Sequence, residues 1–227
     1  MKVLITGVAG FIGFSCANKF INKNIKVVGI DNFDSYYSPK LKKKRVQILK
    51  KNKNFKFFKV DIRNIKQLNK IKKIDFSFVF HFAAQPGVRY SLINPKKYFD
   101  TNIEGFINIV DIVNKKKLKK FIYASSSSVY GEQKKFPTSE DSRLNSKNPY
   151  GLSKIINEEL GQVYSKFFNS KFVGLRFFTV YGEWGRPDMF IIKLLNSIKK
   201  RKIFNLNNDG DHYRDFTYIG DIVDACY

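Results

Sequence analysis

The stretch Met1–Asp31 limits what this chain can become more than any other. Lys2–Thr6 (KVLIT) is a short apolar run that reads as a buried strand. Gly7, Gly10 and Gly13 follow in the spacing GxxGxxG. Phe11–Lys23 then places Ile12, Cys16, Phe20 and Ile21 on one side of a helical repeat. Ile25–Ile30 is a second apolar run, and Asp31 closes it. Strand, glycine turn, helix, strand, acid is the order that binds a dinucleotide. The glycines let the backbone turn tightly and approach a pyrophosphate, and the helix N-terminus offers it free N–H groups and a positive dipole end. Asp31 stands where a carboxylate accepts hydrogen bonds from both hydroxyls of an adenosine ribose. A 2′-phosphate would be repelled there, which favours NAD over NADP.

The rest of the chain continues the alternation. Asn32–Pro39 is a polar, aromatic loop, and Leu41–Lys51 reads as a lysine-rich helix. Phe55–Val60 is a third strand ending at Asp61. That acid either faces the adenine amino group or caps a helix over Ile65–Lys72, a task Asn64 could also perform. Phe76–Phe82 is a nearly continuous apolar strand, as buried parallel strands are, and it runs into the small residues Ala83 and Ala84. His81 lies inside it and reads as structural. His212 lies in a polar loop, too far removed to share a metal with His81. A long helix is expected over Ile93–Asn114, a fifth strand over Leu118–Ala124, a helix over Pro149–Phe168 and a sixth strand over Lys171–Phe177. The implied class is α/β, a doubly wound parallel sheet of the NAD(P)-binding Rossmann kind. The turn Trp184–Pro187 and a helix over Met189–Lys200 suggest a second lobe. The expected division is residues 1–180 for the dinucleotide-binding domain and 181–227 for the start of a substrate lobe, which looks incomplete.

Composition narrows the function classes. With 227 residues, 43% of them hydrophobic, the chain can build a full core. No run reaches the apolar length of a membrane span. The N-terminus enters a strand at once, so no signal peptide is expected. Cys16 and Cys226 show no metal spacing and suggest a reducing, cytoplasmic setting. The net charge of +23 invites a nucleic-acid reading, yet only 8 of the 42 Lys and Arg are arginine. The densest runs, Lys40–Lys53 and Lys115–Lys120, lack the interleaved arginine and exposed aromatics of a nucleic-acid groove. A solvated lysine surface is the better reading.

Tyr150 and Lys154 form Y-x-x-x-K at the start of a helix, where i, i+4 spacing puts both on one face. An ammonium near a phenol favours the phenolate, and such a tyrosine can take a proton from a sugar hydroxyl. The serine run Ser125–Ser128 ends the fifth strand, where open parallel sheets place ligands.

Nine segments, in order and across the whole chain, resemble the extended short-chain dehydrogenase/reductase family of nucleotide-sugar enzymes. They are TGVAGFIG (Thr6–Gly13), GIDNFDSYY (Gly29–Tyr37), HFAAQPGVRYS (His81–Ser91), NIEG (Asn102–Gly105), YASSSSVYG (Tyr123–Gly131), PYGLSK (Pro149–Lys154), LRFFTVYG (Leu175–Gly182), WGRPDM (Trp184–Met189) and RDFTYIGDIV (Arg214–Val223). AAQPGVRYS, LRFFTVYG and GRPDM most resemble UDP-glucuronate 4-epimerases. The resemblance implies that Tyr150 is the base, that Lys154 lowers its pKa and holds the nicotinamide ribose, and that Ser126 hydrogen-bonds the reacting O4. It implies NAD contacts at Phe11, Ile12, Asn32, Asp61, Ile62, Phe82, Ala83, Ala84 and Asn102. Ser127, Ser128, Thr179 and Arg186 match positions around the substrate carboxylate, and Arg214 matches one that pairs with the UDP diphosphate. The implied reaction oxidises C4 while Tyr150 takes the 4-OH proton, lets the 4-keto sugar turn over, and reduces its other face. A homodimer through the helices ending at Asn114 and beginning at Pro149 is expected on the same ground. Gly220 replaces the aspartate usual in the family, and members continue well beyond Tyr227. UDP-glucose 4-epimerase and UDP-glucuronate decarboxylase are the nearest alternatives. A 4,6-dehydratase is disfavoured, because Ser127 and Ser128 stand where such enzymes carry Asp-Glu. A truncated, non-catalytic NAD-binding protein is the alternative of another class.

Overall fold

Alternating branched and aromatic residues build the strands, and at Ser38, Asn64, Asn94 and Asn148 a side-chain oxygen caps the helix that follows. The computed structural model describes residues 1–113, 115–168, 170–211 and 213–227, so the expectations that rest on Asn114 and His212 lie outside the described residues. Strands β1 (Lys2–Thr6), β2 (Lys26–Asp31), β3 (Phe55–Lys59), β4 (Phe78–His81), β5 (Lys120–Ala124) and β6 (Lys171–Leu175) form one sheet in the order β3-β2-β1-β4-β5-β6, every pair parallel. The chain leaves β1 first to one side and then, through β4, to the other. That reversal opens a crevice at the strand carboxyl ends.

Both faces of the sheet are buried. On one face Val3, Ile5, Val27 and Phe80 pack with Phe14, Cys16 and Phe20 of α1 (Phe11–Asn22) and with Val46 and Leu49 of α2 (Pro39–Leu49). On the other, Leu4, Val28, Val79 and Phe121 pack with Leu68 of α3 (Ile65–Leu68) and with Phe106, Ile109 and Val110 of α6 (Gly105–Ile112). The period-2 alternation of KVLIT divides β1 between these two cores.

Several helix boundaries differ from the sequence expectation for visible reasons. Helix α2 starts two residues early, because Pro39 fits its first turn and the Ser38 hydroxyl accepts from Leu41 N at 3.4 Å. The helix expected over Ile93–Asn114 is continuous over Pro95–Ile112, starting two residues late and carrying a π-helical stretch. Helix α4 (Val88–Ile93) stops at Asn94, which Pro95 drives out of helical conformation (φ −136°). A new helix, α5 (Pro95–Tyr98), then passes through a π-helical stretch, Phe99–Glu104, into α6. By contrast, α7 spans Pro149–Phe168 as expected.

Beyond the main sheet, β7 (Thr179–Tyr181) and β8 (Phe216–Tyr218) form a two-stranded parallel sheet, with α8 (Phe190–Lys199) between them in sequence. Helix α9 (Ile219–Cys226) returns to the first unit. It places Ile219 and Val223 in the α1 core, and Asp224 accepts from Lys19 Nζ at 2.7 Å. A Cβ at Gly220 would stand 2.6 Å from the Tyr218 ring, so an acid here requires that ring to move. Among the described residues no helix is long and apolar enough to cross a membrane.

His81 is a buried member of β4, with Nδ1 2.9 Å from the Thr6 hydroxyl and its ring edge-on to Phe106. Burial, aided by the Lys154 ammonium, pushes its pKa down to about 3. The native state therefore holds His81 neutral, whereas the unfolded chain binds a proton near pH 6.5. Stability is intact above that value and is lost as pH falls from 6.5 toward 3. Between pH 7 and 5, where few carboxylates titrate, denaturant unfolding should show a loss of about 2 kcal/mol. His81→Asn, although less stable at pH 7, should lose much less over the same interval.

Candidate active site

The crevice at the β1/β4 reversal is a cleft of about 1050 Å³. One wall is the glycine turn. Gly7 has φ +67°, and a Cβ there would lie 2.6 Å from the backbone nitrogen of Ala83. A Cβ on Gly13 would lie 2.3 Å from the Gly7 carbonyl oxygen. The turn therefore closes only with glycine, and it brings β1 and the end of β4 into backbone contact. Helix α1 starts after Gly10 with no side-chain cap, so its first N–H groups are left for an anion. Gly7, Gly10, Phe11, Ile12 and Gly13 all line the cleft.

Asp31 lines it too, and is held on both oxygens: Oδ2 accepts from Ala9 N at 3.1 Å and Oδ1 from Phe33 N at 2.7 Å. Burial raises its pKa, against the pull of these bonds and of the Lys42 and Arg45 charges. Each oxygen keeps lone-pair capacity for a ribose hydroxyl. An uncapped helix start, a cradle that only glycine permits and a fixed carboxylate fit the pyrophosphate and adenosine ribose of NAD.

Asn32, Ile62, Phe82, Ala83 and Ala84 also line the cleft, but Asp61 and Asn102 do not. Asn64 is the cap of α3, its side chain accepting from Gln67 N at 3.0 Å. Asp61 instead accepts from Asn32 Nδ2 at 3.0 Å and from Arg63 Nη2 at 2.6 Å. Burial works to raise its pKa, but these bonds outweigh it and leave it at about 2. Asn102 is buried in the π-helical stretch. It accepts from Gln85 N at 2.7 Å and donates to the Ser153 hydroxyl at 2.9 Å, tying the loop after β4 to α7.

The opposite wall is α7 and the end of β5. Tyr150, Lys154 and Ser126 line the cleft together. Lys154 is buried, and its Nζ donates to the Ala124 carbonyl at 2.8 Å; burial lowers its pKa to about 8. Tyr150 differs from the sequence expectation. Burial raises its phenol, and the groups that pull it down are Ser126 and the more distant Arg186 charge, with no resolved effect of Lys154. The i, i+4 spacing put both side chains on one face, but the ammonium is directed to a backbone carbonyl. Ser126 Oγ also accepts from Ser128 N at 3.1 Å, which shapes the serine run into a short 3₁₀ turn. Behind it, Ser125 donates to Glu158, and Arg176 Nη2 reaches the same carboxylate at 2.8 Å.

All six positions expected around the substrate line this cleft: Ser126, Ser127, Ser128, Thr179, Arg186 and Arg214. Arg214 is exposed, with Nη1 donating to the Tyr213 carbonyl at 2.6 Å. Arg186 is paired with Asp188. Sequence reasoning passed over Asp188, and also Lys42 and Arg45. Lys42 is buried at the cleft, its Nζ donating to the Asp34 carbonyl at 2.7 Å and lying 4.3 Å from the Tyr37 ring centroid. Arg45 is fully buried behind the glycine turn. The scarcity of arginine in a lysine-rich helix was the one available signal. Among the described residues no group of three or more His, Cys, Asp or Glu is arranged to hold a metal ion.

Known proteins share both sequence and shape with this chain. Protein CapI of Staphylococcus aureus is 43% identical over 227 residues, which cover 99% of this chain and 68% of that protein. UDP-glucuronate 4-epimerase 4 of Arabidopsis thaliana is 42% identical, with 100% of this chain matched to 53% of the plant protein. The crystal structure of UDP-glucuronic acid 4-epimerase from Bacillus cereus, in complex with UDP-glucuronic acid and NAD, superposes with a TM-score of 0.89 at 39% identity, over 98% of this chain and 71% of that one. Residues 3–227 match the profile described as the NAD dependent epimerase/dehydratase family, and the chain belongs to that family.

Proposed function

We propose that this chain is an NAD-dependent 4-epimerase of a UDP-sugar, with UDP-glucuronate and UDP-galacturonate as its substrate pair. The observation that carries the reading is the meeting of Tyr150, Lys154 and Ser126 with Thr179 and Arg186 in the cleft that the glycine turn also lines. Bound there, NAD supplies a reversible two-electron oxidation at C4.

The protein's own groups do the rest. Ser126 Oγ holds the sugar O4, and Tyr150 Oη takes its proton. Arg186 and Ser126 ease that transfer by opposing the rise that burial imposes on the phenol. Lys154, anchored on the Ala124 carbonyl, keeps an ammonium on the cleft floor, where a ribose hydroxyl can accept from it. Ser127, Ser128 and Thr179 offer hydroxyls to the sugar carboxylate, and Arg186 a guanidinium. A 4-keto uronic acid is a β-keto acid that loses CO₂ when strained, so a hold made mainly of hydroxyls suits it. Arg214 meets the diphosphate as a charge-assisted donor. We assign residues 1–180 to the NAD-binding domain, which also brings Ser126–Ser128, Tyr150 and Thr179 to the sugar, and 181–227 to the start of the substrate lobe, whose α9 packs back on the α1 core. An exposed stripe of Leu152, Val163 and Phe167 along α7 supports a homodimer.

Incubation with UDP-glucuronate, followed by chromatography that separates the C4 epimers, should yield UDP-galacturonate. Tyr150→Phe should lower the rate at least 100-fold while UDP-glucuronate still binds. Epimerisation of UDP-glucose with none of UDP-glucuronate would overturn the carboxylate assignments, and a pentose product would signal decarboxylation. Gly13→Ala, whose methyl would meet the Gly7 carbonyl, should abolish NAD binding measured directly by calorimetry.

A further inference from the structure

The Arg186 guanidinium donates to Asp188 through two nitrogens, Nε to Oδ1 at 3.0 Å and Nη2 to Oδ2 at 2.5 Å. Pro187 lies between them, and its locked φ fixes the short bridge across one residue. Both side chains are largely buried, and both line the cleft beside Tyr36, whose ring centroid is 5.8 Å from the guanidinium carbon. The pair carries no net charge. A sugar carboxylate that approaches Arg186 thus meets a cation already balanced by a fixed acid.

We propose that Asp188 sets substrate selectivity and turnover by competing with the sugar carboxylate for Arg186. This rests on the reading of UDP-glucuronate as substrate. A free guanidinium would grip a carboxylate through two parallel bonds and fix its orientation. The proposed reaction requires the opposite, since the 4-keto sugar must turn over between oxidation and reduction. Tight binding of every bound form alike lowers KM without raising kcat. Asp188 holds the grip of Arg186 below that level. A neutral hexose lacks the carboxylate and is indifferent to the contest.

The test measures binding of UDP-glucuronate and UDP-glucose to the NAD-loaded full chain, with kcat and KM for UDP-glucuronate. Asp188→Asn removes the competing charge but keeps an acceptor for Arg186. It should tighten UDP-glucuronate binding about 5- to 10-fold, leave UDP-glucose within about 2-fold, and lower kcat and KM together. Asp188→Glu keeps the charge and should show no gain. Arg186→Gln leaves Asp188 alone against the carboxylate and should weaken UDP-glucuronate relative to UDP-glucose, so the effect is readable even where Asp188→Asn fails to fold. An equal shift for both sugars in Asp188→Asn, or a loss for UDP-glucuronate alone, overturns the role of Asp188 and leaves the epimerase reading standing. A wild-type chain that does not bind UDP-glucuronate overturns both.

Discussion

A single buried guanidinium joins the parts on which the cleft depends. Arg45 leaves α2 and donates Nη1 to the Ala9 carbonyl of the glycine turn and to the Tyr37 hydroxyl, both at 2.8 Å. Its Nη2 donates to the carbonyls of Trp184 and Gly185, immediately before Arg186. Its Nε has no hydrogen-bond partner among the described residues. Burying an ion costs several kcal/mol unless it is paired and hydrogen-bonded. Here three backbone carbonyls, one phenol and the nearby Asp31 charge share that task. The result is mechanical: the turn expected to face pyrophosphate and the turn that carries Arg186 are fixed to one planar group. Lysine, with a rotatable point charge, has no comparable fork.

Around that anchor, backbone contact counts for more than side-chain chemistry. The Gly7 and Gly13 positions leave no space for a methyl group, so the turn and the end of β4 sit at a distance set by peptide atoms. Asn102 extends the same principle to the far wall. Its amide joins Gln85 of the post-β4 loop to Ser153 of α7, the helix that carries Tyr150 and Lys154. A residue expected to touch the cofactor thus holds in place two segments that line the cleft.

Patterns confined to one element were legible in the sequence. The strand–turn–helix–strand unit, the parallel alternation and the full extent of α7 follow from apolar period and glycine spacing, which are local. What the sequence hid depends on distant partners. A local exception is Asn94-Pro95, which sets the start of the helix expected from Ile93 two residues later, at Pro95. The choice between Asp61 and Asn64 as cap turned on Arg63 and Asn32, which claim the Asp61 carboxylate first. Lys154 lines the cleft with Tyr150, but the Ala124 carbonyl that takes its ammonium is 30 positions away in sequence, and no effect of Lys154 on the phenol is resolved. Arg45 looked like one more cation on a solvated helix. Lys40, Lys43, Lys44 and Lys50 are exposed as that reading requires, whereas Lys42 and Arg45 turn inward.

This division of the cations bears on how an anionic ligand is handled. The excess of +23 lies mostly in surface lysines, whose summed field draws phosphates and carboxylates toward the protein and weakens with salt. Such a field speeds encounter but cannot orient a sugar. At the cleft Arg186 is balanced by Asp188 and, behind the serine run, Arg176 by Glu158, whereas the exposed Arg214 donates to the Tyr213 carbonyl. Balanced pairs present directed hydrogen bonds with little net charge, and the serine and threonine hydroxyls add more of the same kind. On the proposed reading that combination is what a turning 4-keto uronate needs. On that reading attraction would be supplied at long range by lysine, and the grip at close range would stay weak enough to release one face of the sugar and accept the other.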